Sequence, residues 1–195
     1  MDGIWEVTMG GIAVSEFITL DGVFQDPGGA GEFERGGWAF QFDRGPEGNK
    51  FKYDEVMSAG ALLLGRVTYE GFAKAWPTMH DEFADKMNAM PKYVVSSSLD
   101  HGDWNNTSVI RTNVLDSVRA LKRDVTGDIL VNGSAQLVRT LLKHRLVDEL
   151  RLMVYPVILG AGLGFFASAD ESSKLRLVES RKAGETMILV YRPQP

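Results

Sequence analysis

Two places in the chain set glycine, hydroxyl and cationic groups where a strand-like run meets a helix-like run. They are Leu64-Gly65-Arg66-Val67-Thr68-Tyr69 and Val131-Asn132-Gly133-Ser134-Ala135-Gln136. A helix begins with unpaired N–H groups and the positive end of its dipole, so such a junction suits an anion, above all a phosphate. Glycine lets the phosphate approach the backbone, and Arg66 and Thr68 add side-chain donors for its oxygens. Ser96-Ser97-Ser98 ends a third apolar run and puts hydroxyls at the edge where open α/β sheets bind ligands. Each feature also has a plain structural reading: glycines often end strands, Asn-Gly makes hairpin turns, and serine runs are commonly solvated loops. The helical stripe after Asn132-Gly133 argues against a hairpin there.

Other chemistry is limited. The chain has no cysteine, which excludes disulfides, thiolate metal sites and a cysteine nucleophile. His80, His101 and His144 lie far apart without metal-ligand spacing, so no metal is expected, and no hydrolase elbow or Walker sequence is present. A formal charge of −5 over 195 residues opposes a nucleic-acid or anionic-membrane surface. No run approaches the ~18 apolar residues of a membrane span, and no secretory leader is evident, so a cytoplasmic protein is expected.

These groups need elements to hold them. Gly11 to Thr19 reads as a first strand, preceded by an extension over residues 1–10 that is expected to be disordered. Residues 21–48 carry glycines, prolines and interleaved aromatics (Phe24, Phe33, Trp38, Phe40, Phe42) without a period, as in a loop that covers something. A helix is expected over 50–59 with Tyr53, Val56 and Met57 on one side and Asp54 and Glu55 on a solvated face. A buried strand follows at Ala61–Leu64. Helices at 66–73 and 81–90, a strand at 92–96, a helix opened by Asn113, and a strand at 129–131 come next. A helix capped by Ser134 with Leu137, Val138, Leu141 and Leu142 as its stripe leads to a strand at 147–155. Runs at 175–178 and 186–191 around Ala183-Gly184 read as a terminal hairpin. The pattern predicts one α/β domain over 11–195: a mixed, mostly parallel sheet with helices on both faces and an antiparallel C-terminal hairpin.

The order of these segments resembles the dihydrofolate-reductase-like family, especially the branch related to the reductase domain of the bifunctional riboflavin-biosynthesis enzyme. The matching pieces are Thr19-Leu20-Asp21-Gly22, Leu64-Gly65-Arg66-Val67-Thr68-Tyr69, Lys92-Tyr93-Val94-Val95-Ser96-Ser97-Ser98, Val131-Asn132-Gly133-Ser134, and Val147-Asp148-Glu149-Leu150 leading to Pro156-Val157-Ile158-Leu159-Gly160. The resemblance implies the family's three-layer fold and a homodimeric, NADPH-dependent reductase acting on a small carbonyl or a pterin- or pyrimidine-like heterocycle. It assigns Gly65, Arg66, Thr68, Ser96, Ser97 and Ser98 to the adenosine end of the cofactor, with Arg66 on the 2′-phosphate. Gly133, Ser134, Ala135 and Gln136 fall to the pyrophosphate, and Thr19, Asp21 and Gly22 to the nicotinamide end.

Some positions depart from the family. Ser134 replaces the second of two paired glycines, and Gln136 stands where an arginine can assist the phosphates. The carboxylate that binds a pterin falls near Asn49, and its partner threonine at Met153, so dihydrofolate is not the expected substrate. Candidate substrate contacts are Phe24, Trp38, Tyr53, Met153 and Tyr155, and Asp21, Tyr155 or a bound water are candidate proton donors. Helix starts that bind phosphate do not identify the base attached to it, which leaves NADH or FMN as alternative cofactors. A non-catalytic nucleotide- or ligand-binding protein on this fold is a further alternative.

Overall fold

The computed structural model describes residues 10–29, 31, 33–166 and 172–194. The extension expected over 1–10 lies, apart from Gly10, outside the described residues. Strand β1 (Ile12–Thr19) is buried along nearly its whole length. A long loop with one 3-10 turn (Trp38–Gln41) leads to α1 (Gly45–Ser58), which starts earlier than the apolar pattern predicts because Pro46 pre-sets the first turn. Then come β2 (Ala59–Gly65), α2 (Arg66–Ala75), α3 (Glu82–Ala89, capped by the Asp81 carboxylate on the Ala84 amide), and β3 (Lys92–Val95). A short strand that the pattern did not mark, β4 (Thr107–Ile110), precedes α4 (Val114–Asp124), β5 (Asp128–Val131), α5 (Ala135–Lys143) and β6 (Glu149–Tyr155). The chain closes with β7 (Leu175–Ala183) and β8 (Thr186–Pro193).

The sheet order is β4-β3-β2-β5-β1-β6-β8-β7. The first six strands are parallel, and β8 and β7 pair antiparallel beyond β6. Two clusters follow from strand alternation. Ile12, Val14, Ile129 and Val131 pack toward Val118 of α4 and Val138 of α5, whereas Ala13, Leu62, Leu64 and Leu130 pack toward Val56, Tyr69 and Met87 of α1, α2 and α3. A third cluster joins Trp38 and Ala39 of the loop to Met153, Tyr155, Ile188 and Val190. The chain leaves β5 on one side of β1 and returns as β6 on the other, so the order reverses at β1, where ligands of open α/β sheets bind.

Lys92 is fully buried on β3, with its ammonium 4.2 Å from the Trp104 ring centroid and bonded to the Asn88 carbonyl. Burial pulls its pKa down from 10.5 to about 8. Between these values the unfolded chain holds more protons than the folded one, so folding stability rises with pH across that window. Urea midpoints measured from pH 7 upward are expected to show this rise in the wild type and to lose it in Lys92→Met.

Candidate functional site

Because six strands run parallel, their carboxyl ends gather the candidate residues on one edge. The two glycine junctions meet there. The Gly65 amide donates to Ser134 Oγ at 2.9 Å, Ser134 N donates to Thr68 Oγ1 at 3.2 Å, and Ser134 Oγ lies 3.0 Å from the Asn132 carbonyl it donates to. Ser134 therefore does not cap α5 with its side chain, as the sequence suggested; its backbone is left-handed, with φ 58°, and its hydroxyl ties two helix starts together. Gly133 has φ 56°, and a Cβ there would lie 2.5 Å from Thr68 Oγ1, so a side chain is excluded twice over. Ala135 is buried as the first residue of α5, and Gln136 is exposed beside it.

Arg66 opens α2 on the outer side of this junction. Its guanidinium pairs with Glu70 at 2.9 Å, and both side chains are more than two-fifths exposed, so the head points to solvent and not to the core. An exposed pair of this kind is weak and exchanges readily for a phosphate. Ser96 is buried, and its Oγ accepts from the Ser98 and Leu99 amides, closing the turn after β3; Ser97 and Ser98 are exposed on the edge.

Thr19, Asp21 and Gly22 lie further along, because β1 runs five residues past its last β5 pair, Val14 with Val131. They form a turn locked by hydrogen bonds. Thr19 Oγ1 donates to Asp21 Oδ1 at 2.6 Å, and the Asp21 carboxylate accepts from the Gly160 amide at 2.7 Å and the Leu159 amide at 3.3 Å. The Thr19 hydroxyl, followed by the Gly160 amide, holds the Asp21 carboxyl below its usual range. Through these bonds Asp21 fastens the 157–160 segment to the end of β1.

The expected substrate contacts separate. Trp38, Met153 and Tyr155 are at most 1% exposed and form core, with Trp38 edge-on to Tyr155 at 5.3 Å and its Nε1 donating to the Gln25 carbonyl. The Tyr155 hydroxyl donates to Met153 Sδ at 3.4 Å, and burial pushes its pKa up. None of the three lines the cleft over α1. Phe24 packs edge-on against Phe165, while Phe40 is 82% exposed. Tyr53 is not on the buried stripe of α1; with Arg44, Asn49, Lys50, Lys52, Asp54 and Phe83 it lines an open cleft of about 530 Å³. Arg44 donates from Nε to Asn49 at 2.6 Å, so an amide bonded to a cation stands in this cleft at the position matched to the pterin-binding acid.

The face reading for α1 also needs correction at Glu55. Asp54 is solvated and paired with Lys50, but Glu55 is buried and meets Lys52 Nζ at 2.6 Å. Ser15 Oγ donates to Glu55 at 3.0 Å, Lys52 Nζ lies 2.6 Å from Ser15 Oγ, and Arg151 Nη1 stands 3.7 Å from Glu55 Oε1. One strand residue away, Glu16 is 5% exposed, with Oε1 buried and lacking a hydrogen-bond partner. Sequence reasoning passed over Ser15, Glu16 and Lys52; Asn132, read there only as part of its junction, donates its side-chain amide to the Ser15 carbonyl at 2.8 Å. A signal was present: polar Ser-Glu inside a strand that is otherwise apolar on both faces calls for an explanation. Among the described residues no cluster of potential metal ligands occurs, and no helix is long and apolar enough to cross a membrane.

The sheet order and its two helix-start junctions define the dihydrofolate-reductase-like fold. The chain matches the model of the RibD C-terminal domain over residues 11–189 and belongs to that family. It is 31% identical to the Bacillus subtilis (strain 168) protein YyaP over 144 residues, 71% of this chain and 76% of that one. A Shewanella sp. PV-4 structure named for riboflavin biosynthesis superposes with a TM-score of 0.74 at 16% identity, over 95% of this chain and 99% of the other. Enterococcus faecalis dihydrofolate reductase, solved with NADP(H), superposes with a TM-score of 0.57 at 15% identity, over 96% of this chain and 98% of that one.

Proposed function

We propose that the chain is an NADPH-dependent reductase that delivers hydride to a small pyrimidine- or pterin-like heterocycle or carbonyl compound. The observation that carries this reading is the fusion of two helix starts through Thr68 and Ser134 at the carboxyl edge of the sheet, with Arg66 free to turn from Glu70. The first-turn amides of α2 and α5 and the side-chain-free Gly133 fit a pyrophosphate, and Arg66 fits a 2′-phosphate. The NADP(H) of the E. faecalis enzyme, on the same fold, supports that cofactor over a flavin. When bound, the nicotinamide supplies the hydride; the protein orients the two partners and excludes water.

The test is a calorimetric titration with NADPH, NADH and FMN in parallel. Arg66→Ala is expected to weaken NADPH about ten- to a hundredfold, the range for a lost charged contact, and to leave NADH nearly unchanged. FMN binding alone would replace the nicotinamide with a flavin, and no binding of any of the three would sink the reductase reading.

A further inference from the structure

We propose that Glu16 is the proton donor of the reduction, delivering its proton to the nitrogen or oxygen of the double bond that takes the hydride at carbon. The proposal rests on the reductase reading above and adds the acid that this reading lacks.

The position follows from strand register. β5 ends at Val131 opposite Val14, so the next two residues of β1 stand beside the Asn132-Gly133-Ser134 turn. Alternation sends Ser15 toward α1, where it meets Lys52 and Glu55, and Glu16 to the other face with Val14 and Ile18, beside the backbone amide of Gly133. Glu16 thus sits where the sheet order reverses, one residue from the phosphate-type junction and at the inner end of the ligand edge. Its side chain is packed away from bulk water, yet Oε1 has no protein partner, an arrangement that costs stability unless a bound group completes it.

Its chemistry suits the task. Burial is the largest influence and holds the Glu16 carboxyl well above the usual carboxylate range; Lys52 and the Gly133 amide oppose burial, and Glu55 reinforces it. The Asp21 carboxyl is held below its usual range by Thr19 and the Gly160 and Leu159 amides, and the Tyr155 hydroxyl lies in the core against Met153 Sδ and the Arg44 side chain. When a C=N or C=O carbon accepts hydride, its π electron pair moves to nitrogen or oxygen. The Glu16 O–H bond breaks to protonate that atom, and the carboxylate then recovers a proton from water. The hydride donor is oxidised, the substrate double bond is reduced, and the acid returns to its starting state.

The test follows oxidation of NADPH, and in a second arm of reduced FMN, by an imine of an aminopyrimidine, in the wild type, Glu16→Gln and Glu16→Asp. Glu16→Gln is expected to lower kcat about 10²–10⁴-fold, the usual range for a general acid, with KM for the hydride donor unchanged. Glu16→Asp recovers part of that loss. The wild-type rate falls as pH rises through the Glu16 titration, and the Glu16→Gln profile is flat there. Thermal denaturation and NADPH titration of each variant separate a lost proton donor from a lost fold. A Glu16-dependent rate with reduced FMN but not NADPH upholds the proposal and overturns the nicotinamide. Glu16→Gln within about threefold of wild type and with the wild-type pH profile overturns Glu16, as does a wild type that binds NADPH but turns over nothing.

Discussion

Trp38→Ala is expected to lower folding stability by about 3–5 kcal/mol, whereas Phe40→Ala, two residues away, changes it by less than about 0.5 kcal/mol. The contrast follows from environment. Trp38 is fully buried, edge-on to Tyr155, with its indole N–H on the Gln25 carbonyl; Phe40 is 82% exposed. Truncating Trp38 removes a large buried ring and opens a cavity between the long loop and the β6–β8 corner, among Ala39, Met153, Tyr155, Ile188 and Val190. Urea denaturation of the two variants checks this. If the loop aromatics instead walled a substrate pocket, Trp38→Ala would leave the denaturation midpoint in place and weaken only ligand binding. The loop is also fastened at its start: Val23 bridges to Gly164, and the Phe24 amide bonds to the Leu163 carbonyl. Trp38→Ala therefore also loosens the 157–165 segment that Asp21 holds at the end of β1.

The two helix-start junctions were legible because their signal is local: a glycine between an apolar run and an amphipathic stripe marks a strand-to-helix turn within about six residues. The same locality exposed β2, α5 and the terminal hairpin. What joins the junctions is not local. Thr68 and Ser134 are 66 positions apart in the chain and meet only because β2 and β5 are neighbours in the sheet. Strand β4 escaped notice because Thr-Ser-Val-Ile at a sheet edge is only half buried and lacks an apolar run. The aromatic loop read as a pocket wall because its composition is the same whether the rings face a ligand or the core, and the difference depends on the distant partners Met153, Tyr155 and Ile188. Glu55 was set on the wet face of α1 by its charge. The helix period alone could not reveal that β1 presents Ser15, and β6 presents Arg151, to that side.

Glu55→Leu is expected to cost about 3–5 kcal/mol, because it leaves a buried cation without its counter-ion. Arg151 is not that cation: it keeps Asp128 and Glu149, each at 2.7 Å. Lys52 is, with a side chain 13% exposed and, among the described residues, only the Ser15 hydroxyl left within hydrogen-bond reach. The double variant Glu55→Leu/Lys52→Met should therefore be more stable than Glu55→Leu alone, since an apolar pair of similar volume replaces a buried ion pair at little net cost. Additive losses in urea denaturation would mean that the two side chains are not coupled. The same pair acts on the neighbouring strand position. Glu55 raises the Glu16 titration and Lys52 lowers it, so removing Glu55 alone moves the pH at which Glu16 ionises downward, and removing Lys52 alone moves it upward. If Glu16 supplies the proton, the alkaline fall of the rate shifts to lower pH in Glu55→Gln and to higher pH in Lys52→Met. A stability defect does not produce these opposite shifts, so the rate profiles of the two variants separate the packing role of the pair from its electrostatic hold on Glu16.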